Sequence, residues 1–256
     1  MRTFTRVLFS TLLVVSILET ALAAKLTVVT EHLAPFQIVD STSITGLSTE
    51  IVEATFDKSG YEYIIEAHPW SLSFNRAKHK ENICIYSLAR IPERLSSFQW
   101  VGHLATSSIS IYALKKNNIT IASLEEAKQY KTAVIKDDVT HHYLLSKGFV
   151  ENENLYVMSN YDALLLFLET PSRKIDLVLI NDDLINNRVA TKEEAGKYIN
   201  VYVLEELSLD FYLACSLQTN KNIVNNLADI MKNLELSGVN SRIRNKWRKK
   251  MVNLIN

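Results

Sequence analysis

Apolar residues along this chain recur in short blocks whose spacing switches between strand-like and helix-like periods. Lys25-Leu-Thr-Val-Val-Thr30 is a β-branched run that predicts a buried strand, and Pro35-Phe36 breaks it into a loop. Beyond Gly46, Leu47, Ile51 and Ala54 fall on one helical face, and Lys58-Ser-Gly60 supplies the stop. Tyr61 to Ile65 predicts a second strand, Ser71 to Lys80 a short helix and Ile83-Cys-Ile-Tyr86 a third strand. This alternation predicts a mainly parallel sheet covered by helices.

The pattern then restarts. Ile109 to Leu114 reads as a strand and Asn117-Asn118 as a turn, and a second alternating unit begins at Ile119. It has helices from Leu124, Thr140 and Tyr161, interleaved with strands at Thr132 to Ile135, Leu155 to Met158 and Ile175 to Ile180. Asp210 to Ser216 is a late strand. Ile223, Leu227, Ile230, Met231 and Leu234 share one face of a long helix ended by Gly238, and Ser241 caps a last helix carrying Trp247. No repeat or low-complexity linker separates the two α/β units. The chain is therefore expected to cross between them along strands, near Ser107 to Tyr112 and Leu204 to Leu213.

The first 24 residues obey a different rule. Arg2 and Arg6 precede an apolar run from Val7 to Leu18 that ends in Ala21-Leu22-Ala23-Ala24, and Glu19 and Thr20 interrupt it short of the roughly 20 residues a spanning helix needs. Residues 1–24 are expected to be a cleaved signal peptide, giving a mature, soluble periplasmic chain that starts near Ala24 or Lys25.

Composition narrows the function classes. The 256 residues carry 28 Lys and Arg against 28 Asp and Glu; without Arg2, Arg6 and Glu19 the balance is 26 against 27, a net charge of −1. Nothing there favours nucleic acid. The basic cluster Arg242, Arg244, Lys246, Arg248, Lys249 and Lys250 reads as a solvated helix face. Cys84 and Cys215, with no Cys-x-x-Cys pair, support no zinc or redox motif; export permits one disulfide, but two buried free thiols in strands are the expectation. There is no Gly-x-Ser-x-Gly, phosphate-binding loop, Gly-x-Gly-x-x-Gly or His-Glu-x-x-His, and His141-His142 are expected on the surface. No cofactor or metal is expected.

What remains is a recognition constellation, Ser87-Leu-Ala-Arg-Ile-Pro-Glu-Arg94, directly after the third strand. Ligands of open α/β sheets bind beyond the carboxyl ends of strands, and an Arg there can hold a carboxylate through two parallel hydrogen bonds. The bland alternative is that Arg90 or Arg94 pairs with Glu93 or another acid.

At this point the chain resembles the extracellular solute-binding proteins of family 3, which deliver polar amino acids and related solutes to importers. The resemblance runs over the mature chain. It is carried by Ala34-Pro35-Phe36, Gly46, Pro69-Trp70, Pro92-Glu93-Arg94 followed by Phe98, Ile175-Asp176-Leu177-Val178, and Leu236-Ser-Gly238 to Lys246-Trp247. It implies a type II periplasmic binding fold. In that fold two lobes, each a mainly parallel sheet flanked by helices, are joined by two crossing strands, with residues 25–110 and 207–256 forming lobe 1 and 111–206 lobe 2. By position, Arg94 would bind the ligand carboxylate and Trp70 would stack on its body. Glu31, Ala89 and Arg90 would line lobe 1, and Val139 and Thr140 of the loop Lys136 to Thr140 would add contacts from lobe 2.

Two departures qualify the ligand. Where amino-acid binders of the family place an acid for the α-ammonium, this chain has Asn181, with Asp182 and Asp183 just beyond, and the lobe 2 loop lacks the Ser/Thr-Gly pattern. A carboxylate without an ammonium thus becomes a candidate ligand. The implied partner is an ABC permease or a sensor-kinase ectodomain, bound by a monomer. The rival from another class is an enzyme similar to cyclohexadienyl dehydratases, with Glu31, Asp137 or Asp182 as general acid.

Overall fold

A computed structural model of the chain describes residues 25–192, 196–207 and 209–255. The predicted signal peptide, residues 1–24, lies outside the described residues. Strand β1 (Leu26–Thr30) is followed by a small hairpin of β2 (Ile38–Val39) and β3 (Ile44–Thr45), which leads into helix α1 (Leu47–Ser59). Gly46 makes that entry with φ 126°, and a Cβ there would meet the Phe36 carbonyl oxygen at 2.4 Å. Next come β4 (Tyr63–Ala67), α2 (Trp70–His79), β5 (Ile83–Ala89), a 3₁₀ turn (Pro92–Ser97) and β6 (Phe98–Ser107).

The middle of the chain supplies β7 (Ile109–Leu114), α3 (Leu124–Ala127), β8 (Thr132–Ile135), α4 (Val139–Ser146) and β9 (Leu155–Met158). It continues with α5 (Tyr161–Glu169), β10 (Leu177–Asn181), α6 (Asp182–Lys192) and β11 (Tyr198–Val203). The chain closes with β12 (Leu209–Ser216), α7 (Lys221–Leu236) and α8 (Val239–Ile255). The strand expected over Tyr61 to Ile65 is shifted to β4, α2 starts one residue early at Trp70, and β6, α6 and β11 join the expected elements.

Two five-stranded sheets result, in the orders β4-β1-β5-β12-β6 and β11-β7-β10-β8-β9. Only β12 runs against its neighbours in the first and only β7 in the second, so each sheet is mainly parallel. Both ends of the chain build the first sheet and its middle builds the second. Between them the chain crosses at Ser108 and again between Val203 and Leu209. The crossings lie side by side, since Leu204 N–H donates to the Ile109 carbonyl. On the flank, α8 packs against α1 and α7 and also reaches α6 beside the second sheet.

The expectation of free thiols is overturned. Cys84 and Cys215 form a disulfide between β5 and β12, because the antiparallel register sets these two fully buried residues directly opposite each other. The surface expectation fails for His141, which is buried at the start of α4, whereas His142 is exposed.

Candidate functional site

In both sheets the carboxyl ends of the parallel strands point toward the same gap, so the loops that follow them converge there. From the first sheet come Glu31 after β1, Trp70 after β4 and Arg94 after β5; from the second come Asp138 after β8, Tyr161 after β9 and Asn181 at the end of β10. Together they line an enclosed cavity of about 10 Å³, room for about one water.

Arg94 is the centre of this site. It sits in the 3₁₀ turn that Pro92 opens, only 5% exposed, with its guanidinium carbon 5.5 Å from the Trp70 ring centroid and 4.9 Å from that of Phe74. Among the described residues its guanidinium forms no hydrogen bond and no ion pair with any protein group. Burial pulls its pKa down from the ordinary guanidinium value, opposed by the negative charges of Asp138, Glu93 and Glu31. A guanidinium nevertheless stays protonated in proteins, so Arg94 is a buried cation with its fork of donors uncommitted to any described residue.

Two carboxyl groups face it. Burial raises the pKa of Glu31 well above the ordinary carboxylate value, Asp138 raises it further, and Arg94 opposes both. Its carboxyl also makes no hydrogen bond to a described protein group. Asp138 caps α4: its Oδ1 accepts from the Thr140 amide at 2.9 Å and the Thr140 hydroxyl at 2.8 Å. Tyr161 is buried beside them, and its phenol pKa is driven up first by burial and then by Asp138 and Glu31.

The turn before Asp138 is a built feature. Asp137 has φ 60°, and its N–H donates to His141 Nδ1 at 3.2 Å, which leaves Nε2 to donate to Glu151 at 3.0 Å. The Asp137 carbonyl then accepts from Trp70 Nε1 at 3.2 Å, a direct hydrogen bond across the gap between the two sheets.

Of the residues singled out in the sequence, Arg94, Trp70, Glu31, Ala89 and Asn181 line the cavity, and four do not. Arg90 faces outward, stacked over Trp100 at 5.6 Å and Tyr212 at 5.2 Å, because successive residues leaving a strand point to opposite faces. The Val139 side chain is buried in the α4 packing, and the Thr140 hydroxyl is spent on the Asp138 cap. Asp182 accepts from the Tyr112 hydroxyl at 2.9 Å, away from the cavity. Asn181 lines the cavity with its amide already used: Nδ2 donates to Ser107 Oγ at 2.5 Å, and Oδ1 accepts from the Leu184 amide at 3.1 Å. Sequence reasoning passed over Asp138, Tyr161 and Phe211. Asp138 lies in the loop Lys136 to Thr140 that was expected to add contacts, but it was not singled out there, and its double position as cap of α4 and cavity wall shows only in the fold.

The model of the bacterial extracellular solute-binding proteins, family 3, matches residues 26–250. The chain belongs to that family. Membership implies a location outside the cytoplasm, and no described helix is long and apolar enough to cross a membrane. No curated protein matches the sequence of this family member. Solved structures give its fold. The arginine-, lysine-, histidine-binding protein ArtJ from Geobacillus stearothermophilus matches at TM-score 0.76 and 17% identity, over 91% of this chain and 100% of its own. A histidine-bound ABC uptake transporter substrate-binding protein from Streptococcus pneumoniae matches at 0.75 and 16%, over 87% and 92%. A histidine kinase sensor domain similar to periplasmic binding proteins matches at 0.76 and 16%, over 87% and 95%. The type II periplasmic binding fold is thereby shown.

Proposed function

We propose that this family member, exported by its first 24 residues into the periplasm, binds a small polar solute bearing a carboxylate in the gap between its lobes and presents it to an ABC importer. The observation that carries this is Arg94, a buried cation with no hydrogen-bond or ion-pair partner among the described residues, whose guanidinium lines the cavity beside the rings of Trp70 and Phe74. The parts of the chain that carry the first sheet, residues 25–107 with 209–256, and the part that carries the second, residues 109–203, act as the two moving lobes, and the crossings near Ser108 and between Val203 and Leu209 act as hinges. Ligand enters when the lobes part and the Trp70 to Asp137 bond breaks; closure buries it against Arg94 and Trp70. Glu31 and Ala89 complete the lobe 1 wall. A thermal-shift panel of amino acids, small carboxylates and amines tests the reading. A ligand present at 100 times its Kd adds about 2.7 kcal/mol, a shift of several degrees. Shifts confined to carboxylates and absent from Arg94→Ala support it; shifts by amines lacking a carboxylate contradict it.

The likeness to a kinase sensor domain favours a second reading, in which the closed, ligand-bound form docks on a membrane signalling partner. Both readings share the cleft and differ in the membrane protein that co-purifies with the loaded form.

A further inference from the structure

The loop from β8 to α4 joins the cavity to the bond that spans the two sheets, and its shape depends on one buried side chain. Asp138 N–H donates to the Ile135 carbonyl at 3.2 Å, closing a turn whose third residue, Asp137, sits at φ 60°. That is left-handed backbone, which glycine fills most readily and an aspartate adopts at some cost. His141, 4% exposed in the first turn of α4, holds it there: its Nδ1 accepts from the Asp137 N–H at 3.2 Å. A backbone N–H can only donate, so Nδ1 presents its lone pair and the ring proton lies on Nε2, where Glu151 Oε1 accepts it at 3.0 Å. The imidazole is thereby fixed as one neutral tautomer with both nitrogens in use.

The Asp137 carbonyl, aimed by that turn, accepts from Trp70 Nε1 at 3.2 Å, and the next residue, Asp138, lines the cavity. Three bonds in series therefore run from Glu151 through His141 and Asp137 to the lobe 1 wall at Trp70. A second proton on His141 breaks the series at its middle. Both nitrogens of an imidazolium are donors, so Nδ1–H would face the Asp137 N–H, and the peptide must turn away and take the direction of the Asp137 carbonyl with it. Glu151, still in contact through Nε2, is the counter-charge of the doubly protonated ring. The other ionisable groups around it are His142, with its ring centroid at 5.4 Å, and Lys136, Asp137 and Asp138 of the turn; β8, against which α4 packs, contributes none.

We propose that His141 is the positioning residue of an acid-released latch between the lobes: neutral, it aims the Asp137 carbonyl at Trp70 and holds the lobes together, and doubly protonated, it lets them part. This deepens the preceding proposal and rests on it for the motion of the lobes. Acidification thereby shifts the ligand-free protein toward its open form.

The test is solution X-ray scattering of the ligand-free parent, Trp70→Phe, His141→Leu and His141→Asn at about pH 8 and about pH 5, the two ends of the range in which imidazoles change charge. Leucine offers the Asp137 N–H no acceptor, whereas asparagine keeps an oxygen where Nδ1 was and does not titrate. The expected result is that the radius of gyration of the parent rises on acidification by the increment that Trp70→Phe shows over the parent at the higher pH. His141→Leu shows that increment at both pH values and His141→Asn at neither. The Trp70 indole N–H resonance, identified by its absence from Trp70→Phe, shifts between the same two states. An unchanged parent, or a His141→Asn protein that opens in acid as the parent does, overturns the proton switch. His141→Leu as compact as the parent at the higher pH overturns the positioning role; should that variant not fold, the pH profile of the parent against that of His141→Asn decides alone. Trp70→Phe no larger than the parent overturns the latch itself, while failure of the solute-binding reading would show in the ligand panel and not here.

Discussion

Burying Arg94 without an ion-pair partner costs folding free energy, which the faces of Trp70 and Phe74 offset only in part. Under the proposed function that cost is retained because Arg94 binds the ligand. Replacing it by an apolar side chain of similar length, Arg94→Met, is therefore expected to raise the Tm of the ligand-free protein while abolishing every ligand-induced shift, as thermal unfolding with and without ligand would show. Glu31 has the same character with a pH signature. Its folded pKa is raised above the unfolded value, so its contribution is fully present below the unfolded pKa and is lost as pH rises through the folded one. Glu31→Gln should accordingly gain stability relative to the parent as pH rises above the ordinary carboxylate range, and match it below. A pH series of Tm values checks this; a constant difference at all pH values would contradict it. At this scale Arg94 was readable as a candidate because it follows the buried run of β5, whereas Trp70 and Glu31 came only from the resemblance to the family. The roles of Asp138 and Arg90 were not readable, since one depends on a loop from a distant sheet and the other on which face of a strand exit it takes.

The elements follow the apolar pattern wherever that pattern is clean. β1, β5, β8 and β10 were readable as unbroken apolar or β-branched runs, as buried parallel strands are. β6 was not, because Phe98 to Ser107 interleaves Gln99, Gly102 and His103 with its apolar positions, and α6 was not, because Asp182 to Lys192 is polar nearly all round. The disulfide was hidden for a different reason: a separation of 131 residues says nothing about register, and only the β5 to β12 pairing brings the cysteines together. The protein unfolded without reductant should show no titratable thiol and, after reduction, two. Replacing both cysteines by alanine should cost about 2–5 kcal/mol in denaturant unfolding. Gly46→Ala tests the entry to α1. At φ 126° and with a Cβ 2.4 Å from a backbone oxygen, it should destabilise by at least about 1–3 kcal/mol, because the obstacle is main chain and cannot swing aside.

For the whole molecule, two sheets built from interleaved parts of the chain leave one gap onto which six strand ends converge, and the residues placed there pair one buried cation with two carboxyl groups. The alternating order of strands and helices made the two units and their crossings readable; the closeness of the lobes, set by the Trp70 to Asp137 bond and by α8 reaching α6, was not, since those contacts join distant segments. Trp70→Phe removes that bond, worth about 0.5–1.5 kcal/mol, and should shift the free protein toward a more open form with a larger radius of gyration in solution scattering. The most direct test of the central claim is the Kd of the best carboxylate ligand for the parent protein and for Arg94→Ala. Loss of a buried charge partner worth about 2–5 kcal/mol predicts affinity weakened about 30-fold or more. An affinity unchanged within about twofold, less than about 0.5 kcal/mol, would contradict the claim that this cleft holds its ligand by Arg94.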